Sequence, residues 1–110
     1  LITSPVERTE KGCRSRHICV FAEGSVDRSP CGTGTSARMA LLVSRGQLAV
    51  GESFEAASII NTKFTGTPLA SVKECGFEAI IPKVAGGAWI TGFNKFVLDP
   101  EDPISAGFLL

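Results

Sequence analysis

The stretch Asp27-Arg28-Ser29-Pro30-Cys31-Gly32-Thr33-Gly34-Thr35-Ser36-Ala37-Arg38 constrains this chain more than any other. Proline and two glycines punctuate it, and helix formers run on from it: Ala37, Met39, Ala40, Leu41 and Leu42, closed by Arg45 and a stop at Gly46. The spacing predicts a helix over 34–45, entered from a strand through a turn that holds Cys31. A helix start carries unsatisfied backbone N–H groups and the positive end of the macrodipole, which stabilise a thiolate and attract a carboxylate. One short stretch therefore nominates a reactive thiol and an anion site together. The helix's apolar positions keep to no narrow stripe, so sheet is expected to wrap it.

Around that helix the pattern is β-like. His17-Ile18-Cys19-Val20-Phe21-Ala22 reads as a buried strand, and Ser53–Ile60, Leu69–Cys75, Phe77–Ile81 and Ala88–Val97 as further strands separated by glycine and proline. Glu74-Cys75-Gly76-Phe77 reads as a tight hairpin turn. Residues 1–15, polar and interrupted by Pro5 and Gly12, read as loop or a frayed segment, and residues 97–110 as an irregular tail closing on Phe108-Leu109-Leu110. The expected class is α+β.

Eleven basic residues balance eleven acidic ones among 110, with no basic stripe interleaved with aromatics, which argues against a nucleic-acid partner and for a small ligand. No apolar run approaches the ~20 residues that span a bilayer, and Leu1-Ile2-Thr3-Ser4-Pro5 has neither an initiator Met nor the pattern of a signal peptide. The chain reads as a piece of something longer. Four irregularly spaced cysteines, Cys13, Cys19, Cys31 and Cys75, favour reduced thiols and hence a cytoplasmic setting.

At a helix start, Cys31 suits a nucleophile, a metal ligand or a base. Gly32 and Gly34 leave the backbone uncluttered, so the N–H groups of Gly32, Thr33 and also Gly34 can converge on a carboxylate or phosphate. Asp27, on the incoming loop, suits an ammonium or iminium group. An anion cradle, a carboxylate and a thiol together fit an α-amino acid gripped at both polar ends. The same residues also suit a plain turn with a packed thiol, and Asp27 a solvated turn carboxylate or helix cap. Cys19 and Cys75 read as packed thiols in or beside strands, and Cys13 as an exposed loop thiol.

Gly32-Thr33-Gly34-Thr35-Ser36-Ala37 also matches G-x-G-x-x-A of dinucleotide sites, with Glu52 at a suitable distance. The long polar loop before the glycines and the hairpins after the helix argue against that reading. Cys13, His17 and Cys19 lack a fourth ligand and zinc spacing, so no metal is expected. A hydrolase-like pairing of Cys31 with His17, the single histidine, stays open.

Asp27 to Ala37 resembles the second-cysteine motif of the proline racemase family, and Phe21, Gly46-Gln47-Leu48, Thr91-Gly92-Phe93, Asp99-Pro100, Asp102-Pro103 and Gly107-Phe108 extend the resemblance from His17 onward. That family comprises proline racemases, 4-hydroxyproline 2-epimerases and trans-3-hydroxyproline dehydratases. The resemblance implies a diaminopimelate-epimerase-like lobe, with antiparallel strands wrapped around a central apolar helix, no cofactor, and proline or hydroxyproline as substrate. It implies a polar segment over 1–15 and, over 16–110, the C-terminal part of a two-lobed protein whose tail crosses to the other lobe; a homodimer is compatible with it. By motif, Cys31 is one of two opposed acid/base thiols, the Gly32 and Thr33 amides hold the substrate carboxylate, Asp27 holds the ring nitrogen, and Phe21 lines the pocket. The family's other cysteine, in a Cys-Gly-His motif, is absent from this chain, which implies half an active site or, alternatively, a non-catalytic remnant or small amino-acid-binding domain that keeps the anion cradle without the second base. Dehydratases of the family typically carry Thr in place of Cys31, so the thiol favours racemase or epimerase, and the apolar Phe21 wall favours an unsubstituted ring.

Overall fold

The computed structural model describes residues 1–109; Leu110, the last residue of the apolar tail ending, lies outside them. The strands are β1 (Ile2–Thr3), β2 (Glu7–Thr9), β3 (Gly12–Ile18), β4 (Ser53–Ala57), β5 (Lys63–Glu74) and β6 (Phe77–Gly86), and one helix, α1 (Gly32–Ser44), lies between β3 and β4. They form a six-stranded curled sheet in the order β1, β3, β4, β5, β6, with β2 pairing β3 on the same edge as β1. The class is α+β.

The segment expected to be loose is instead the start of the sheet. β1 and β2 run antiparallel to β3 as one strand interrupted at Ser4-Pro5, where proline removes a ladder donor; Ser4 still pairs with Arg16, its N–H donating to the Arg16 carbonyl and its Oγ accepting the Arg16 N–H, both at 2.9 Å. Polar composition hid these strands because β2 is exposed along its length. β3 begins at Gly12 rather than His17, and its Cys13, Ser15 and His17 alternate inward while Arg14 and Arg16 face out. Cys13 is therefore a core residue and not an exposed loop thiol.

β3 and β4 are parallel, with α1 as the crossover. The sheet is thus mixed, one parallel pair within otherwise antiparallel neighbours, and not antiparallel throughout. Parallel neighbours need such a long connection, and the helix uses it to lay Met39 and Leu42 on a core of Cys13, Leu48, Phe54 and Ala56. On α1 the buried positions Thr35, Met39 and Leu42 form one stripe, with Leu41 left exposed, so the sheet curls over one face of the helix and does not enclose it. The helix ends as expected, with the Gln47 N–H reaching back to the Leu42 carbonyl at 2.8 Å past Gly46.

β5 and β6 form a long hairpin closed by Cys75 (φ 49) and Gly76 (φ 85), two left-handed residues as a type I′ turn requires. The turn is as expected, but Cys75 is exposed at its tip and not packed. β4 pairs only with residues 63–66 of β5, so the rest of the hairpin runs on as a two-stranded ribbon that bends at Pro68/Ala70 and brings Ile80 down on the core. The expected strand Ala88–Val97 does not form: residues 87–98 have no sheet partner among the described residues, and Trp89, Ile90, Phe93 and Phe96 are exposed. The radius of gyration, 18.1 Å, exceeds the ~13 Å of a compact chain of this length because ribbon and tail extend away from the core.

Gly12 joins β2 to β3 at φ +146, and a Cβ there would run into the backbone carbonyl of Ser53 on β4. Substituting Gly12→Ala in the full-length protein should therefore cost about 3 kcal/mol, from strain plus a backbone clash that cannot relax. Urea unfolding checks this; a loss below about 1 kcal/mol would show that the β3–β4 register tolerates a side chain.

Candidate functional site

The site begins where β3 ends. Cys19 and Val20 continue the strand briefly, turn through a single 3-10 turn at Ala22–Gly24, and return so that Val26 bridges Val20 and the Asp27 N–H bonds the Cys19 carbonyl at 2.9 Å. Asp27 is thereby tied to the strand. Its Oδ1 accepts the Ser29 N–H at 2.8 Å, and the Ser29 Oγ accepts the Cys31 N–H at 3.0 Å. This relay, with Pro30 fully buried beneath it, turns the chain into α1.

Cys31 is the N-cap, at φ 66 and ψ 120, a left-handed conformation that few residues other than glycine adopt. Its carbonyl accepts the Thr35 N–H at 2.9 Å, and its Sγ accepts the Gly34 N–H at 3.4 Å. The side chain thus occupies the position where Ser or Asp ordinarily caps a helix. Those bonds use two of the first-turn donors. The amides of Gly32 and Thr33, both exposed, have no acceptor among the described residues. A half-buried thiol thus stands beside two free N–H groups at a helix N-terminus.

Cys19 Sγ, an Asp27 carboxylate oxygen and Cys31 Sγ lie within 4.8 Å of one another, the one such cluster of potential ligand atoms among the described residues. Three donors leave a tetrahedral metal set one short. Cys19 was the residue least visible as part of the site: it looked like core. The inward alternation Cys13, Ser15, His17, Cys19 and the return of Asp27 to the strand put its thiol at the end of the buried face. Burial first, then the neighbouring Cys31 and Asp27, push its thiol above the ordinary range. Ser29, the acceptor that fixes Cys31, was likewise not singled out.

The remaining candidates separate. Phe21 is 56% exposed at the cap of the 3-10 turn, its N–H donating to the Ser25 carbonyl at 2.8 Å and its carbonyl accepting the Gly24 N–H at 3.3 Å. A cleft of about 870 Å³ runs along Asp27, Arg28 and Ser29, opposite Asn61–Phe64 and Trp89; neither Phe21 nor Cys31 lines it. His17 is buried against Phe54, rings 5.6 Å apart, with its Nε2 hydrogen-bonded to Ser15 Oγ at 3.0 Å. It is committed to the core beneath Pro30 and not paired with Cys31. Cys13 packs in the same core, pushed up by burial.

The sequence pattern of the family described as proline racemase matches residues 1–109. The chain belongs to the proline racemase family. The match takes in the leading strands as well as the region from His17 onward. A proline racemase from Clostridioides difficile is 48% identical over 104 residues, which cover 94% of this chain and 31% of that protein. A trans-3-hydroxy-L-proline dehydratase from Bacillus cereus is 50% identical over 101 residues, covering 92% and 30%. Among solved structures, a hydroxyproline epimerase from Agrobacterium vitis with bound trans-4-hydroxy-L-proline superposes with a TM-score of 0.69 at 36% identity, over 96% of this chain and 30% of that one. The chain spans about a third of the length of the relatives it matches. No helix among the described residues is long and apolar enough to cross a membrane.

Burial, and secondarily Arg38, holds the His17 pKa below its usual 6.5. The unfolded chain therefore binds a proton that the folded chain refuses. This contribution to stability is complete above about pH 6.5 and is lost as pH falls from there toward the folded pKa, with a slope of at most ~1.4 kcal/mol per pH unit. Thermal melts between pH 5 and 7.5 should show the decline in the parent and a weaker one in His17→Gln; parallel curves would remove His17 as its source.

Proposed function

We propose that this chain is the second-cysteine lobe of a cofactor-independent racemase or epimerase that inverts Cα of proline or hydroxyproline. The observation that carries the reading is the juxtaposition at the start of α1: the Cys31 thiol, two acceptor-free amides and the Asp27 carboxylate. An amino acid whose carboxylate sits on the Gly32 and Thr33 N–H groups has its charge met where it grows as Cα–H ionises. Asp27 then holds the ring nitrogen, Cys31 takes or returns the α-proton, and Phe21 walls the pocket when the rest of the protein covers it. A second thiol, on the opposite face of Cα, comes from the part of the protein outside these residues.

The lobe is of the diaminopimelate-epimerase type in this reading, with residues 16–110 forming the C-terminal part and the segment beyond Ala88 crossing to the other lobe. The exposed Trp89, Ile90, Phe93 and Phe96 support this, because so much unpartnered apolar surface is unfavourable in water. The chain by itself is then inactive. A free thiol in place of the dehydratases' threonine favours isomerisation over loss of water.

In the full-length protein, Cys31→Ser should lower α-proton exchange of L-proline and trans-4-hydroxy-L-proline in D2O by roughly 10³-fold, read by NMR. Asp27→Asn should lower kcat/KM by about 10- to 100-fold through the loss of a charged contact to nitrogen. Undiminished exchange in Cys31→Ser would sink the acid/base role. Release of water from trans-3-hydroxy-L-proline, without exchange at Cα of the other two, would assign the dehydratase instead.

A further inference from the structure

We propose that Cys19 is a resolving thiol for Cys31, and that hydroperoxides convert the pair into a reversible disulfide that switches the site off. The loss of turnover rests on the function proposed above; the disulfide itself needs only the two thiols.

Three observations carry the pairing. The sulfurs lie within 4.8 Å of each other, together with the Asp27 carboxylate. Cys19 and Asp27 are joined by a backbone hydrogen bond at 2.9 Å, and Asp27 is linked through Ser29 to the Cys31 N–H, so the loop from Val20 to Pro30 is already closed and bringing the sulfurs together costs little further chain entropy. And Cys19 does not belong to the hydrophobic core cluster that holds Cys13, although both lie on the buried face of the strand: its thiol sits at the end of that face, against the site.

The two thiols differ in the manner that such a pair requires. Cys31 is half-buried at the open start of the helix and hydrogen-bonded by the Gly34 N–H, so a peroxide can reach it. Cys19 is nearly buried, and its thiol is held above the ordinary range, so it reacts second.

In the first step the Cys31 sulfur attacks a peroxide oxygen: the S–O bond forms, the O–O bond breaks, and the proton leaves with the departing alcohol or water, giving a sulfenic acid. In the second, the Cys19 sulfur attacks the Cys31 sulfur: the S–S bond forms, the S–O bond breaks, and hydroxide leaves with the Cys19 proton as water. Two thiols are oxidised and one peroxide reduced. The product takes the Cys31 sulfur off the Gly34 N–H and out of proton transfer, while adjacent Cys19 spares it from over-oxidation.

Trypsin separates all four cysteines of the segment, placing Cys19 in His17–Arg28 and Cys31 in Ser29–Arg38. The reduced full-length protein is treated with a several-fold molar excess of hydrogen peroxide, since a sulfinic acid needs a second peroxide after the sulfenic acid, then alkylated, digested without reductant and analysed by mass spectrometry. The expected product is these two peptides joined, with turnover lost in step and restored by dithiothreitol. Cys19→Ser should give Cys31 sulfinic acid under the same treatment, with turnover that dithiothreitol does not restore. Alkylated Cys19 beside oxidised Cys31 in the parent, linkage of Cys31 to another cysteine, or full thiol rescue in Cys19→Ser would each overturn the proposal. A joined peptide in a protein whose reduced form has no turnover would confirm the pair and count against the proposed function alone.

Discussion

The site depends on a chain of three short-range hydrogen bonds. The Cys19 carbonyl holds the Asp27 amide, the Asp27 carboxylate holds the Ser29 amide, and the Ser29 hydroxyl holds the Cys31 amide. Each link fixes the residue that makes the next one, and the last holds a cysteine in a left-handed backbone conformation that costs on the order of 1–3 kcal/mol. That conformation lets the thiol reach the Gly34 N–H while leaving the preceding two amides facing outward. Asp27 therefore serves two ends: one carboxylate oxygen organises the turn, and the group as a whole offers a negative charge beside the thiols.

The core supplies the platform on which this relay stands. His17 and Pro30 are buried beneath the turn, and the parallel β3–β4 pairing forces the chain to cross over through α1, so the helix starts at one end of the buried strand face. Met39 and Leu42 then press the helix onto Phe54 and Leu48. A site built this way is backed by strand and helix on one side and open elsewhere.

How much of this was legible in the residues varies with the kind of signal. The helix was visible because its start, body and stop each have their own chemistry, and the Cys75-Gly76 turn because a two-residue hairpin demands left-handed residues. The leading strands were not, since β2 exposes every side chain and carries no apolar alternation. Ala88–Val97 misled in the opposite direction: its composition is that of a strand, but a strand is defined by a partner, and none is present among the described residues. Cys31, Asp27, Gly32 and Thr33 stood out through the turn motif. Cys19 did not, because its significance is a through-space distance created by a loop that folds back on itself, and a periodicity count treats it as one more buried position. Cys13 is hidden with the strand that holds it.

The single tryptophan of the chain, Trp89, sits 80% exposed at the rim of the cleft beside Asp27 and Ser29. An indole so placed is an optical gauge of its surroundings: water around it keeps its emission red-shifted, and any surface laid over the cleft moves that emission to the blue. The segment thus carries a built-in spectroscopic reporter on the same cleft as Asp27 and Ser29, independent of the thiols.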